Sequence, residues 1–563
     1  MVRWFDPVQL VRTGWNVFLS TTLGRYLDVR RLQPLGGKVE YRPFDYSMVR
    51  EAASGDVAGQ RVPREEIWID YVADIGDGWN PAYAVARTVC QFELPVRLWK
   101  RRREREDVEY RTQRHDVLVF GGDVVYPFPS RREYALRAEL PYAAALRRVP
   151  IGPDGKARRP HIFALPGNHD WYDNLTAFTQ LFMQQAPFGN WRTRQSRSYF
   201  ALKLPHGWWL LGTDVSLAAD IDAQQLEFFD AVRKQFGPDD RVIACLSEPQ
   251  WVVAAQYGEV DDAATETNMK RLEGLLGEGR VRAFVAGDWH HYRRHEKNGV
   301  HKITAGGGGA FLHPTHEDIE KVRTLKDGSR LVEDAIFPPL DVSRKLAWRN
   351  LGFAWLNPGF GPLPALLYVL TAWIVGADLD TCTTVSQAIL SVIGAIRHSP
   401  GSALWLFVLF TGFVLFTDTH YRTYRVVGGL LHAASHMGLM FVLAWWASRW
   451  ALHLTDQQPT DTLIGQLLRA ALLAAGGWVA GSTLMGLYLL ISINVFGRHS
   501  TEAFSSLRNQ DWKNFLRLHI AKDGSLTIYP IGLERVPRRW KKNPDPEAVS
   551  AYDPTNKAIL FRF

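Results

Sequence analysis

Cysteine is scarce in this chain of 563 residues: Cys90, Cys245 and Cys382 stand far apart, without paired spacing. That argues against a disulfide framework or a cysteine-built zinc site and suits a reducing compartment. The N-terminus lacks the uninterrupted apolar core of a secretory signal, because Asp6 and Arg12 break it. No nucleic-acid motif surrounds the basic clusters at 100–105 and 535–542, so the net charge of +8 does not point to DNA or RNA as a partner. Those clusters suit attraction to anionic lipid headgroups, or are plain solvated charge. Asp, Glu, Lys and Arg are absent from four long runs, 351–377, 399–417, 426–448 and 470–497.

Each of these runs is about as long as the roughly 20 residues a helix needs to cross a bilayer. Trp355, Trp373, Trp405, Trp445, Trp446 and Trp478 are candidates for interfacial belts. Four crossings return the chain to the side it left. Arg344, Lys345, Arg349, Arg422, Arg425 and Arg498 flank one face; Arg397 and Arg449 lie among Asp378, Asp380, Asp456 and Asp461 on the other. The positive-inside bias therefore predicts a multi-pass protein of the cell (cytoplasmic) membrane, with both termini in the cytoplasm. Residues 381–396 are shorter and semi-polar and read as re-entrant or interfacial; if they span, the helices number five. Residues 7–27 form an amphipathic pattern, with Leu10, Val11, Trp15, Phe18 and Leu19 on one side, suited to the membrane interface or to packing on the soluble domain. His432 and His436 share a helix face, with His420, His499 and Glu502 near the ends of the runs. They suit a headgroup or metal site, or interhelical hydrogen bonds.

Outside the apolar region the residues alternate between short strands and polar turns. Strand patterns near 67, 117, 161, 241, 281 and 301 end in clusters of Gly, Asp, Asn, Glu or His. This predicts an α/β sandwich whose strand ends converge on one site. In the tail, 515–519 and 526–531 alternate around Lys522-Asp523-Gly524 like a hairpin, which needs a sheet to join. The expected division is 1–64, an amphipathic helical segment; 65–340, the sandwich; 351–497, the transmembrane helices; and 498–563, a tail returning to the sandwich.

The ordered blocks over roughly 65–315 resemble those of the calcineurin-like metallophosphoesterases. Gly167-Asn168-His169-Asp170 matches that family's Gly-Asn-His-Asp outright. Gly122-Asp123-Val124-Val125-Tyr126 matches the Tyr-ending form of Gly-Asp-x-x-(Asp/Tyr), as in purple acid phosphatases. The resemblance implies a β-sandwich flanked by helices and a pair of metal ions bridged by Asp123. Asp74 and His290 would hold the first ion and Asn168 the second, while His169 stabilises or protonates the leaving group. Water would attack phosphorus in line, with the metals neutralising the phosphoryl oxygens.

The departures from the family pattern refine this. Gly76 stands in place of a ligand His, leaving Tyr126 or Asp77 to complete the first position. Ser247-Glu248-Pro249 lacks the usual His, and Glu248 is the donor there. Asp288 replaces the first His of Gly-His-x-His. The second ion would then be held by Asp123, Asn168, Glu248 and Asp288, all oxygen donors, which favours manganese or magnesium over zinc. Tyr126 as a ligand admits iron at the first position. In 306–309, Gly307 and Gly308 permit either backbone contact with phosphate or a crowded turn; His313 and His316 are candidate substrate contacts or surface histidines. The expected function is a membrane-anchored phosphoesterase acting on a phosphate ester, with a lipid or lipid-linked substrate suggested by the anchor. The alternative is a non-catalytic membrane scaffold or sensor that retains the metal-binding fold.

Overall fold

The computed structural model describes residues 1–19, 42–50, 61–97, 109–150, 159–215, 221–259, 266–417, 420–455 and 462–555. The chain divides into two compact units, one of Met1–Val2, Thr13–Val342 and Arg508–Phe563, the other of Arg3–Arg12 and Ser343–Leu507.

The first unit is built on two sheets. Ile67–Val72 and Val117–Gly121 are buried along their whole length, as expected of parallel strands covered on both faces. With His161–Leu165 they form the parallel centre of a seven-stranded sheet. The tail hairpin extends that sheet: Lys513–Ile520 pairs antiparallel with Ile67–Val72, and Leu526–Leu533 lies outside it. The second sheet has eight strands. Its centre is Trp208–Gly212, Arg241–Leu246, Val281–Ala286 and Val300–Ala305, all parallel.

Ile69, Val119, Leu165, Leu210, Ile243 and Val285 meet between the sheets. On the outer face of the first sheet, Leu118, Phe120 and Ile162 pack with helix Trp79–Val89. On that of the second, Trp209, Val242 and Phe284 pack with helices Ala223–Arg233, Gln250–Tyr257 and Thr267–Leu276. The unit is a four-layer α/β sandwich. Because the central strands of each sheet run the same way, the loops after them gather along one edge.

The second unit is helical. Pro358–Val375, Arg422–Leu454 and Leu463–Phe496 are each long and apolar enough to cross a membrane. Val385–His398 and Pro400–Phe416 are bent by 105° and make a fourth candidate if the pair counts as one span. The bend has a local cause: Pro400 disfavours helical backbone at Ser399, whose side chain then caps the next helix at Ser402. Residues 381–396 thus become the helix Val385–His398, capped by Thr384.

Three boundaries differ from those read off composition. The run 351–377 is interrupted at Asn357-Pro358, the third helix runs on to Leu454, and the last starts at Leu463 rather than 470. Helices approach closely through glycine: a Cβ at Gly481 would lie 2.8 Å from Pro364, and one at Gly429 2.7 Å from the Val414 backbone. Trp405 and Trp445 turn inward, donating to Thr371 Oγ1 at 3.0 Å and to the Cys382 carbonyl at 2.9 Å. Large apolar side chains face outward elsewhere, with Trp373 79%, Ile464 73% and Val495 69% exposed.

Of residues 7–27, Pro7–Leu19 is helical and the rest lies outside the described residues, as does the cluster at 100–105. In the cluster at 535–542, Arg538 pairs with Asp511 at 2.9 Å.

Candidate active site

Six strand ends meet because glycine lets their loops touch. A Cβ at Gly167 would fall 2.0 Å from Asp123 Oδ1, and at Gly306 and Gly287 2.5 and 2.8 Å from Asp74 Oδ2. At Gly122 it would lie 3.4 Å from Gly167 and 3.6 Å from Ser247. Asp74, Asp123 and Asp288 all have left-handed backbones, with φ of 61°, 47° and 65°. Non-glycine residues seldom adopt this conformation, and it costs free energy at each position. It turns the chain sharply off three strand ends, and the Asp288 amide donates to Asp74 Oδ2 at 2.9 Å.

The hydroxyl of Tyr126 sits among them, 2.8 Å from Asp74 Oδ1, 3.0 Å from Asp123 Oδ2 and 3.0 Å from His290 Nε2. His290 Nδ1 donates to the Phe311 carbonyl at 2.7 Å, which leaves its Nε2 lone pair facing the cluster. One hydroxyl hydrogen cannot satisfy three acceptors. The remaining lone pairs suit a cation, and the donor set fits a metal ion. Asn168 Oδ1 points the same way: it is buried with no hydrogen-bond partner. Among the described residues no three His, Cys, Asp or Glu side chains are gathered closely enough by themselves to hold an ion.

The cluster is electrostatically crowded. Burial, and then the carboxylates of Asp74, Asp170 and Asp288, push Asp123 well above the usual range. Burial raises Asp74 to about 8, and the hydrogen bond from Tyr126 only partly offsets it. Burial and Asp74 raise Asp288 to about 7; burial and Asp288 raise Glu248 to about 7. Glu248 and Asp288 are therefore electrostatic neighbours. A divalent cation reverses this balance by favouring the charged forms.

The other candidates separate. Asp77 is engaged elsewhere, accepting from the amides of Val2 at 2.8 Å and Phe311 at 2.9 Å, so Tyr126 is the one that joins the cluster. His169 lies beside it: its amide donates to Asp123 Oδ1 at 2.9 Å and its Nδ1 to the Pro127 carbonyl at 2.9 Å. Burial lowers its imidazole to about 4. Gly307 and Gly308 form the crowded turn rather than an open phosphate cradle. The Gly308 amide donates to the Ala73 carbonyl at 2.8 Å, and the Gly307 carbonyl accepts from the Asn514 amide at 3.0 Å. His313 stacks on His290 at 4.0 Å and its Nδ1 accepts from the His290 amide, so it supports a site residue. His316 is half-buried after the same loop.

In the helical unit, His436 bonds the Tyr368 hydroxyl at 2.8 Å and His432 at 3.1 Å, and His499 bonds the Tyr488 hydroxyl at 3.0 Å. The His436–Tyr368 bond joins two helices, whereas His432 and His436 lie on one. His420 is exposed.

Two features escaped the sequence. Asp170 ties two blocks together, accepting from the amides of Gly167 at 2.8 Å and Val124 at 3.2 Å and from the Tyr134 hydroxyl. Lys513, the first residue of the tail hairpin, is fully buried and donates to the Ala310 carbonyl; burial lowers its amine to about 8. A lysine opening an apolar alternation is the only sequence signal for it.

Residues 67–292 match the family model for calcineurin-like phosphoesterases. No curated protein matches the chain. Similar solved structures include GAP50, "the anchor in the inner membrane complex of Plasmodium", at 15% identity and TM-score 0.33, covering 48% of this chain and 79% of that one. PhoD is 9% identical at TM-score 0.31, covering 47% and 61%. The purple acid phosphatase PPD1 from yellow lupin (Lupinus luteus) seeds is 12% identical at TM-score 0.28, covering 44% and 45%. The matched region thus spans less than two thirds of PhoD and of PPD1, and at these scores the assignment rests on the family match. Residues 67–292 are a calcineurin-like phosphoesterase domain. The family match carries the class of reaction, metal-dependent hydrolysis of a phosphate ester.

Proposed function

We propose that this chain hydrolyses a phosphate ester at the cytoplasmic face of a membrane that holds its helical unit, with a lipid or lipid-linked phosphate as substrate. The chemistry rests above all on Tyr126, whose hydroxyl meets Asp74, Asp123 and His290 within 3.0 Å. Asp74, Asp123, Tyr126 and His290 would hold one ion. Asp123, Asn168, Glu248 and Asp288 would hold the second, and its oxygen donors favour manganese or magnesium. The Tyr126 oxygen admits iron in the first position. Bound metals supply an activated water and neutralise the phosphoryl oxygens.

The protein's own groups do the rest. With Nδ1 committed to the Pro127 carbonyl, His169 would use Nε2 toward the leaving oxygen. Burial keeps that ring neutral, so it takes up a proton only when the phosphate's negative charge is beside it. Asp170 holds the Gly122 and Gly167 loops in register through its two amide contacts.

The membrane part is supported by the three long apolar helices and their exposed Trp373, Ile464 and Val495, and the side by the arginine bias of the connecting loops. The test is hydrolysis by purified protein, stripped of metal and then given manganese, across phospholipids, lipid diphosphates and nucleotides. Restored activity on a lipid phosphate supports the full reading. Activity on nucleotides alone removes the lipid. No activity with manganese, magnesium, zinc or iron leaves the scaffold reading.

A further inference from the structure

A cavity of about 1050 Å³ lies away from the carboxylate cluster, at the other end of the sandwich. Trp208 and Arg241 open their strands, and Arg282 and His301 are each second in theirs. The candidate catalytic loops follow the far ends of three of those strands. Six extended residues put the two places roughly 15–20 Å apart. Leu526, Ile528 and Pro530 of the tail hairpin form the facing wall.

The lining is basic. Among the described residues that line it, Arg241, Arg282, Arg294 and His301 stand against one carboxylate, Glu333. Arg294 Nε and His301 Nδ1 are buried atoms with no hydrogen-bond partner. Arg241 lies 4.4 Å over the Trp208 ring and donates to the His206 and Gly524 carbonyls at 3.4 Å. Buried polar atoms of this kind are normally answered by a partner. Beside them lies apolar and aromatic surface from Trp208, Tyr292, Ile303 and Ile528. The volume is that of a small-molecule site, in which ligand pockets run to roughly 300–1,000 Å³.

We propose that this cavity binds a phosphate monoester carried on an apolar or aromatic body. The head would sit on Arg282, Arg294 and His301, because guanidinium forks match phosphate oxygens in geometry and charge. The body would lie against Trp208 and the hairpin wall. A nucleotide and a single-chain lipid phosphate share this chemistry. The site is independent of the reaction proposed at the other end.

Binding is measured by calorimetry on the full-length protein in detergent, with chelator present so that nothing is hydrolysed. The probes are AMP, lysophosphatidic acid and inorganic phosphate. Saturable binding of either organic ester, about tenfold or more tighter than inorganic phosphate, is expected. AMP alone identifies a nucleotide site and lysophosphatidic acid alone a lipid site. Arg294→Gln should weaken binding about tenfold or more, while Asp123→Asn should leave it unchanged. Arg282→Gln, at an exposed rim position, makes the same test should Arg294→Gln fail to fold. Three results overturn the proposal: no saturable binding by folded protein, equal binding of inorganic phosphate, or loss of binding in Asp123→Asn with Arg282→Gln intact.

Discussion

Arg517 grips Asp70 with two nitrogens, Nε at 2.7 Å from Oδ1 and Nη2 at 2.8 Å from Oδ2, and neither side chain has any exposed surface. The same guanidinium donates to Thr112 Oγ1 and the Val89 carbonyl, both at 3.1 Å, and His115 Nδ1 lies 2.8 Å from the same carboxylate. The pair pins the tail hairpin to the central strand of the first sheet with its charges fully answered.

Removing one partner should therefore be severe. Arg517→Met leaves a buried carboxylate without its cation, a change that typically costs about 3–5 kcal/mol. Burial alone raises the Asp70 carboxyl, but Arg517 and His115 outweigh it and hold it below its ordinary value. The stabilisation is thus complete above the unfolded carboxyl's pKa and is lost as pH falls through the lower, folded one. Thermal melts against pH should show Arg517→Met melting well below the wild type near neutral pH, with the gap narrowing as acid protonates Asp70. Equal melting temperatures for the two proteins would remove the pair from the account of stability.

Asp123→Asn and Asn168→Ala should each reduce hydrolysis to background without loss of fold. A second consequence separates this site from a structural one. Asp123 is raised by burial and by three neighbouring carboxylates, so an amide there relieves repulsion. Asp123→Asn should melt higher than wild type in chelator, and lower than wild type with manganese restored. Near-wild-type turnover in either variant would sink the site assignment.

His169 should act on the reaction and not on metal retention. His169→Ala is expected to lower turnover by about 10²–10⁴-fold while metal content stays nearly constant. A matched loss of metal and activity would make it a ligand.

Glu248 and Asp288 set the expected metal preference and its pH dependence. Both carboxyls stand near 7 in the protein alone, raised by burial and by neighbouring carboxylates. Protons therefore compete with the second ion as pH falls through about 7, and the ion should leave on the acid side. Ala at either position should empty that place while the first is at least partly kept. His at either position should move the preference toward zinc. Full occupancy in Glu248→Ala would require the Ser247-Glu248-Pro249 segment to be reassigned.

The strand-end residues were legible because a parallel strand buried on both faces must read as an unbroken apolar run, and its ending in Asp, Asn or His is conspicuous. Asp74, Asp123, Asn168, Asp288 and His290 all follow such runs. The choice between Tyr126 and Asp77 was not legible, since it depends on the Val2 and Phe311 amides that occupy Asp77. The glycines of 306–309 were ambiguous for a like reason: their contacts with Ala73, Ile75 and Asn514 come from distant parts of the chain. Composition also merged what backbone chemistry divides. The run 351–377 carries no charge, yet Asn357-Pro358 ends one helix and starts the next.

The hairpin that completes the first sheet lies after the helical unit in the chain, and this orders the events of synthesis. When residue 342 leaves the ribosome, Ile67–Val72 still has an open edge, and Asp70 is buried chemistry without its cation. Only after every helix has been made does Arg517 arrive to close that edge. A nascent chain is exposed to strand-to-strand misassociation throughout this interval. A stop codon placed after the domain's last matched residue would therefore yield an unfinished sheet rather than a soluble enzyme: maturation of the catalytic unit waits on completion of the helices.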